Sequence, residues 1–180
     1  PAGLLAATED RDQPTVLDLL PEELRRRGLF PVGRLDKDTT GLLLLTDDGG
    51  LAHRLLSPKK HVDKVYLAEV EGRVDQDDVR ALEAGMVLGD GLHCLPAGLE
   101  PLGNGSSCLV TLSEGKYHQV KRMLACLGKP VAYLERIRMG PLALDRDLPR
   151  GVFRFLTENE LEELRRFDNP TINVKSSPKT

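Results

Sequence analysis

The order of strand-like and helix-like apolar patterns is the feature that most constrains the fold of this chain. Residues 107–112 are predicted to form a strand, and directly afterwards, over residues 117–127, the apolar period becomes that of a helix. The stripe of this helix consists of Val120, Met123, Leu124 and Leu127, at positions i, i+3, i+4 and i+7. Because strands and helices are mixed without strict alternation along the chain, we predict an α+β fold with helices flanking a mixed, mostly antiparallel central sheet.

Local signals predict the other elements. Strands or extended segments are expected at residues 42–46, 65–70 and 130–139, helical segments at 21–28, 51–56 and 75–84, and a hairpin at 86–95. The strand at 42–46 is expected to be buried and closed by a turn at residues 47–50. Thr157 and Glu160 form the capping box of a last helix. The chain is polar from Asp168 to its end, and residues 168–180 are predicted to be a disordered tail.

Composition argues against membrane, secreted and metal-binding classes. Unbroken apolar runs such as residues 42–45 are far shorter than the roughly 20 residues of a membrane helix. No signal peptide or lipidation motif is evident. Cys94, Cys108 and Cys126 lack CxxC spacing, so we expect buried reduced thiols in a cytoplasmic protein and no metal site.

Charge is distributed unevenly although the formal net charge is only −3. Residues 53–64 contain four Lys/Arg and two histidines but only one acidic residue, and residues 116–138 contain six Lys/Arg and one acidic residue. Binding of a polyanion depends on the local field of a surface, which a whole-chain sum hides. These segments are therefore candidates for an RNA-binding surface, and ordinary solvated charge is the alternative.

The densest polar segment leads directly into the predicted buried strand. Residues 33–42 read Gly-Arg-Leu-Asp-Lys-Asp-Thr-Thr-Gly-Leu. A carboxylate beside Arg34 and Lys37 at the end of a sheet can stay ionised and act as a nucleophile. Equally, Asp36 or Asp38 can cap a turn in a purely structural loop, and the segment alone does not separate these two interpretations.

Two further segments carry groups that suit chemistry. Tyr66 follows Lys64 in a predicted strand, where a tyrosine either packs in the core or stacks on a base and handles a proton. In the helix after residue 117, His118, Lys121 and Arg122 share the polar side. That side is either an ordinary solvated face or the wall of a cleft, and no second ligand at zinc spacing accompanies His118.

Taken in order, these segments resemble the signatures of the bacterial pseudouridine synthases. The signatures are residues 33–42, the Lys-Val-Tyr-Leu-Ala run of residues 64–68, and residues 114–123. The third, with its His-Gln-Val-Lys-Arg-Met run, is most similar to the family that modifies small-subunit ribosomal RNA. Pro1-Ala2-Gly3 is similar to the end of a further signature whose lysine is absent here.

The resemblance implies a site and a fold. Asp36 is expected to be the catalytic nucleophile, Tyr66 the active-site aromatic residue, and Lys121 the cation paired with Asp36. The fold is expected to have two lobes with a cleft between them, and the reaction to need no cofactor. The candidates for contacts to RNA are Arg34, Lys59, Lys60, Lys64, His118, Gln119, Arg122, Arg136 and Arg138.

The resemblance also implies a domain organisation and a substrate. Residues 1–167 are expected to form the catalytic domain, and the small domain of the ribosomal-protein S4 type that usually precedes it is expected to be absent from this chain. The expected reaction is isomerisation of a flipped-out uridine in small-subunit ribosomal RNA by a monomeric, cytoplasmic enzyme. The alternatives are the same reaction on large-subunit RNA, a catalytically silent RNA-binding module, and a carboxylate-dependent hydrolase, which would need a second catalytic acid.

Overall fold

A computed structural model describes residues 1–168 of the chain. The strands are β1 (Phe30–Pro31), β2 (Thr40–Gly41), β3 (Leu45–Thr46), β4 (Lys64–Val70), β5 (Met86–Val87), β6 (His93–Cys94), β7 (Gly98–Leu102), β8 (Ser107–Leu112), β9 (Val131–Met139) and β10 (Leu142–Ala143). The α-helices are α1 (Glu22–Arg25), α2 (Gly49–Leu56), α3 (Gln76–Glu83), α4 (Gln119–Cys126) and α5 (Glu158–Asp168). The predicted disordered tail, apart from Asp168 at the end of α5, lies outside the described residues.

The central sheet confirms the predicted α+β class and its mostly antiparallel character. Its strand order is β10-β9-β4-β8-β7, and β2 joins β9 as a parallel neighbour. The predicted strands at 65–70, 107–112 and 130–139 correspond to β4, β8 and β9, and the predicted hairpin to β5 and β6. β7 is not among the predicted strands; it contains Pro101, which the structure accommodates because β7 lies at the edge of the sheet.

The expectation of one buried strand over residues 42–46 is wrong. The chain instead leaves β9 after β2, and β3 then pairs antiparallel with β1 in a separate two-stranded sheet. Gly41, with φ +109°, allows the chain to leave β9 in this way. The predicted turn at residues 47–50 is also different, because Asp48 accepts a hydrogen bond from the Leu51 N–H and caps α2, which starts at Gly49.

Two clusters of buried side chains form the core. The first joins the sheet to α3 and α4 and includes Leu82, Cys108, Val110, Met123 and Leu124. The second contains Val32, Leu44, Leu55, Met139, Leu142 and Leu164. β9 connects the two clusters, because Leu134 belongs to the first and Met139 to the second.

Two of the three thiols are buried, as expected. Cys94 and Cys108 lie in the first cluster, and burial raises the pKa of the Cys108 thiol to about 11. The expectation of burial is wrong for Cys126, which is exposed at the end of α4, outside the apolar stripe of that helix.

The capping box of α5 is confirmed and leads to a prediction about acid stability. The Thr157 N–H donates to Glu160 Oε2 at 2.8 Å, and Arg154 also binds the Glu160 carboxylate. The Arg154 hydrogen bonds, followed by the one from Thr157, lower the pKa of Glu160 from 4.5 to about 2. Because the folded pKa is the lower one, this stabilisation is present above about pH 4.5 and is lost as the pH falls towards 2. NMR titration of the Glu160 side chain should show this pKa, and Arg154→Met should raise it; an ordinary value in the wild type would contradict the assignment.

Candidate active site

Asp36 lies in a loop, residues 33–39, whose two ends are held by backbone hydrogen bonds. Before the loop, the Val32 N–H donates to the Leu44 carbonyl at 2.8 Å, and after it the Leu42 N–H donates to the Arg136 carbonyl at 2.7 Å. The Thr39 N–H donates to the carbonyl of Asp36 at 2.8 Å, which closes a turn directly at the candidate nucleophile. The Asp36 side chain is 27% exposed, so substrate can reach a carboxylate whose backbone is fixed.

A buried arginine on β9 fastens the same loop. Arg136 is only 3% exposed, and its Nε donates to the Leu42 carbonyl at 2.8 Å while Nη1 donates to the Arg34 carbonyl at 3.4 Å. These two carbonyls lie on either side of Asp36 in the sequence. The third nitrogen, Nη2, is buried and has no hydrogen-bond partner among the described residues. Arg136 therefore fastens the loop on both sides of Asp36.

Helix α4 brings two more polar side chains to Asp36. His118 Nε2 lies 3.5 Å from Asp36 Oδ1, and Lys121 Nζ lies 3.5 Å from Asp36 Oδ2. Lys121 also forms a short ion pair with Asp38, which the sequence did not assign to the site. The hydrogen bond from Lys121 is the main reason that the pKa of Asp38 is lowered. The ammonium group of Lys121 thus interacts with both Asp36 and Asp38.

The start of α4 has an unusual backbone. The predicted helix from residue 117 begins only at Gln119, with His118 as its N-cap at φ +48° and ψ +34°, a left-handed conformation that is uncommon for residues other than glycine. The side chain of Gln119 fixes this turn, because its Oε1 accepts from the Lys116 N–H at 2.9 Å and its Nε2 donates to Glu114. Gln119, predicted as an RNA contact, is only 3% exposed and here serves the turn instead.

The ring of Tyr117 stacks on the imidazole of His118. The ring centroids are 3.8 Å apart and the planes differ by 18°. Tyr117 is not among the residues predicted for the site, although an aromatic residue next to a candidate site histidine is a usable signal in a chain with so few aromatic residues.

Tyr66 lies on the same side of the sheet as α4. It pairs with Val110 on β8 and with Arg136 on β9, and directly paired residues project to the same side. Tyr66 is partly buried and packs against the first core cluster. Arg136 of β9 pairs with Tyr66 on one side and with Gly41 of β2 on the other. Since β2 directly follows the Asp36 loop, one strand, β9, separates Tyr66 from the end of this loop.

The remaining basic candidates lie in different environments. Arg34, Lys59 and Lys60 are exposed. Lys64 is only 7% exposed, and burial, followed by the nearby charge of Arg136, lowers its pKa. Arg122 forms an ion pair with Asp90 at 2.6 Å.

Arg138 is not brought to the Asp36 site. A β-bulge in β9 between Arg136 and Arg138 leaves Arg138 paired with Val65, whereas Arg136 pairs with Tyr66. Since Val65 and Tyr66 project to opposite sides of β4, Arg138 lies on the side of the sheet away from Tyr66. This position does not favour its contact with an RNA nucleotide bound at Asp36.

A cavity of about 840 Å³ touches the same loop from another direction. Asp36 and Thr39 line it, but most of its wall consists of apolar side chains from residues 1–24, 29–51 and 142–164. Tyr66, His118 and Lys121 do not line it, so we assign the chemistry to the Asp36–His118–Lys121 cluster instead. Within residues 1–168, no group of three His, Cys, Asp or Glu side chains is placed to hold a metal ion, and no helix is long and apolar enough to cross a membrane.

Comparison with known proteins places the chain in a family. The family model described as RNA pseudouridylate synthase matches residues 1–126. A Bacillus subtilis protein named uncharacterized RNA pseudouridine synthase YtzG is 50% identical over 167 residues, which cover 91% of this chain and 70% of that protein. The ribosomal small subunit pseudouridine synthase A of Pseudomonas aeruginosa is 48% identical over 162 residues, or 89% of this chain and 70% of that enzyme. A crystal structure of a pseudouridylate synthase, 42% identical, superimposes with a TM-score of 0.85 and covers 91% of this chain and 70% of its own.

Proposed function

The chain belongs to the RNA pseudouridylate synthase family, and we propose that it converts a uridine of small-subunit ribosomal RNA to pseudouridine with Asp36 as the nucleophile. Two relatives, from Pseudomonas aeruginosa and Escherichia coli, support the choice of RNA, because both are named ribosomal small subunit pseudouridine synthase A and are 48% and 44% identical to this chain. The large-subunit RNA remains the alternative substrate, and a direct comparison of both RNAs decides between them.

The observation that carries the proposed reaction is the position of Asp36 between His118 and Lys121. The carboxylate is held by its loop, is partly exposed, and has the Lys121 ammonium 3.5 Å away. Arg136 and Lys64 add buried positive charge on the same side of the sheet. A carboxylate held in this way is positioned to attack a carbon atom of the substrate.

The reaction is an isomerisation, and its atoms balance without a co-reactant. The bond between N1 of uracil and C1′ of the ribose breaks, the base turns, and a bond between C5 and C1′ forms. The proton on C5 leaves and N1 gains a proton. The Asp36 carboxylate can attack C1′, attack the base, or stabilise a glycal intermediate.

Tyr66 is proposed to act on the detached base. Its ring can stack on uracil, and its phenol can help to move the proton from C5. The target nucleotide has to leave its stack to reach Asp36, at a cost of a few kcal/mol in a duplex and less in a loop. Arg34, which is exposed and two residues before Asp36, is proposed to hold the extruded nucleotide or its phosphate.

The test is pseudouridine formation in unmodified ribosomal RNA. Small- and large-subunit RNA transcripts, and assembly particles that contain them, are incubated with the protein, and new pseudouridines are mapped by position. We expect one modified uridine in the small-subunit RNA. Modification of the large-subunit RNA alone would transfer the activity to that substrate, and product in neither RNA nor in the particles would favour the catalytically silent module.

A further inference from the structure

Tyr117 is an exposed aromatic residue beside the proposed catalytic group. Its side chain is 73% exposed, although only three tyrosines, four phenylalanines and no tryptophan occur in the chain. One face of its ring lies against the imidazole of His118, with centroids 3.8 Å apart, and the exposure shows that the other face is open. Tyr117 belongs to neither of the two core clusters, so burial does not explain its position.

The turn that carries Tyr117 is already fixed. The next residue, His118, is held in a left-handed conformation, and the buried side chain of Gln119 bonds back to Lys116 and Glu114. A non-glycine residue keeps such a conformation only where its surroundings enforce it. The aromatic pair therefore presents a pre-formed flat surface. A base that stacks on it binds with little loss of conformational entropy in the protein.

The order of the stacked groups indicates which base this surface meets. The Tyr117 ring stacks on the His118 ring, and His118 Nε2 in turn lies 3.5 Å from Asp36 Oδ1. A base on the open face is thus separated from the carboxylate by two rings, too far for the uracil that reacts. It has to belong to another nucleotide of the same RNA.

Basic side chains flank the aromatic pair. Lys116, Lys121 and Arg122 lie within five residues of Tyr117, and each forms an ion pair with an acid, Glu114, Asp38 and Asp90 respectively. Exposed aromatic rings among basic side chains bind single-stranded bases by stacking, and single-stranded segments are the ones from which proteins read RNA.

We propose that the open face of Tyr117 stacks on a nucleobase that flanks the target uridine, forming a second base-binding subsite beside the catalytic cluster. This inference rests on the proposed function for the identity of the RNA. It makes Tyr117 a specificity residue that distinguishes uridines by the nucleotide next to them and by whether that nucleotide is free to unstack.

The experiment uses a short RNA that contains the mapped target uridine, and the same RNA with single abasic nucleotides at each flanking position. Tyr117→Ala is expected to raise KM by about 5- to 140-fold, the range for loss of one base–aromatic stack, with little change in kcat. Tyr117→Phe keeps the stack and is expected to behave like the wild type. Phe155→Ala, which removes an aromatic ring of similar exposure (71%) elsewhere, should have no effect.

The abasic series provides the decisive comparison. At one flanking position, removal of the base should raise the KM of the wild type by the same factor as Tyr117→Ala does on the intact RNA. For Tyr117→Ala itself, the abasic nucleotide at that position should raise KM no further. An unchanged KM for Tyr117→Ala on the intact RNA would overturn the proposal. So would a difference in KM between the wild type and Tyr117→Ala that stays the same on every abasic RNA.

A binding measurement keeps the stacking test independent of catalysis. If the wild type modifies none of the RNAs, the proposed function fails and the subsite is tested with single-stranded RNA that carries 2-aminopurine. Quenching of its fluorescence by the wild type and Tyr117→Phe, but not by Tyr117→Ala, would support stacking; equal quenching by all three, or none by any of them, would refute it.

Discussion

Asp36→Asn is expected to abolish pseudouridine formation, with a loss of at least about 10³-fold in the single-turnover rate. Asparagine has the same shape but neither the negative charge nor the nucleophilicity of the carboxylate. The fold should remain, because Lys121 keeps its ion pair with Asp38 and the Asp36 side chain is partly exposed. Release of tritium from C5 of labelled uridine measures the rate, since the proton on C5 leaves in the reaction.

Asp38→Asn is the matched control for this substitution. It makes the same chemical change two residues away, on a side chain that is 75% exposed and also pairs with Lys121. We expect a loss of less than about tenfold, since only the partner of a positioned cation changes. Product from a folded Asp36→Asn protein at a rate near that of the wild type would remove Asp36 from its proposed role. Equal losses in both variants would show that the charge of the cluster, rather than one nucleophile, is what matters.

The sequence predicted those parts of the fold that short-range patterns determine. The apolar stripe of α4 is buried at Val120, Met123 and Leu124, and the capping box at Thr157 and Glu160 forms as expected. In each case residues three or four positions apart contain the whole signal, so no knowledge of the distant chain is needed.

The sequence failed where the partner strand lies far away in the chain. Residues 42–46 consist of four leucines and a threonine, but Leu42 still bonds to β9 whereas residues 45–46 pair with β1. Hydrophobicity alone shows that these side chains are buried and cannot show in which sheet. The same holds for β7, because its Pro101 is acceptable only at an edge, and the position of an edge depends on the complete sheet.

The candidate site was predictable only as a set of motifs. Lys121 and Asp38 are 83 residues apart, and no local pattern predicts their ion pair; the resemblance to pseudouridine synthases supplied the expectation that Lys121 meets this loop. The structure adds what motifs cannot contain. Arg136 is buried beneath the loop, and the left-handed turn at His118 places Tyr117 against the imidazole.

Gly41→Ala is expected to have the largest effect on stability of any single methyl addition in this site. Gly41 has φ +109°, and an added Cβ would lie 2.2 Å from the Arg136 carbonyl oxygen and 2.6 Å from its nitrogen, so β2 and β9 would have to separate. Strain and overpacking together should lower the free energy of unfolding by about 3 kcal/mol or more. Because the loop that carries Asp36 ends at this contact, the folded protein should also lose about 10²-fold in kcat through misplacement of the carboxylate.

The control for Gly41→Ala is Gly28→Ala, which separates steric overlap from backbone strain. Gly28 also has a positive φ, +72°, but no atom lies within 4 Å of its added Cβ. It should lower the free energy of unfolding by only about 1 kcal/mol and leave kcat unchanged, since strain is its sole cost. Urea unfolding measures the first quantity, and single-turnover rates on the folded fraction measure the second. If both variants unfold alike and react at the wild-type rate, the close approach of β2 to β9 does not position Asp36. If Gly41→Ala alone loses stability and rate together, the backbone contact with Arg136 sets the position of the nucleophile.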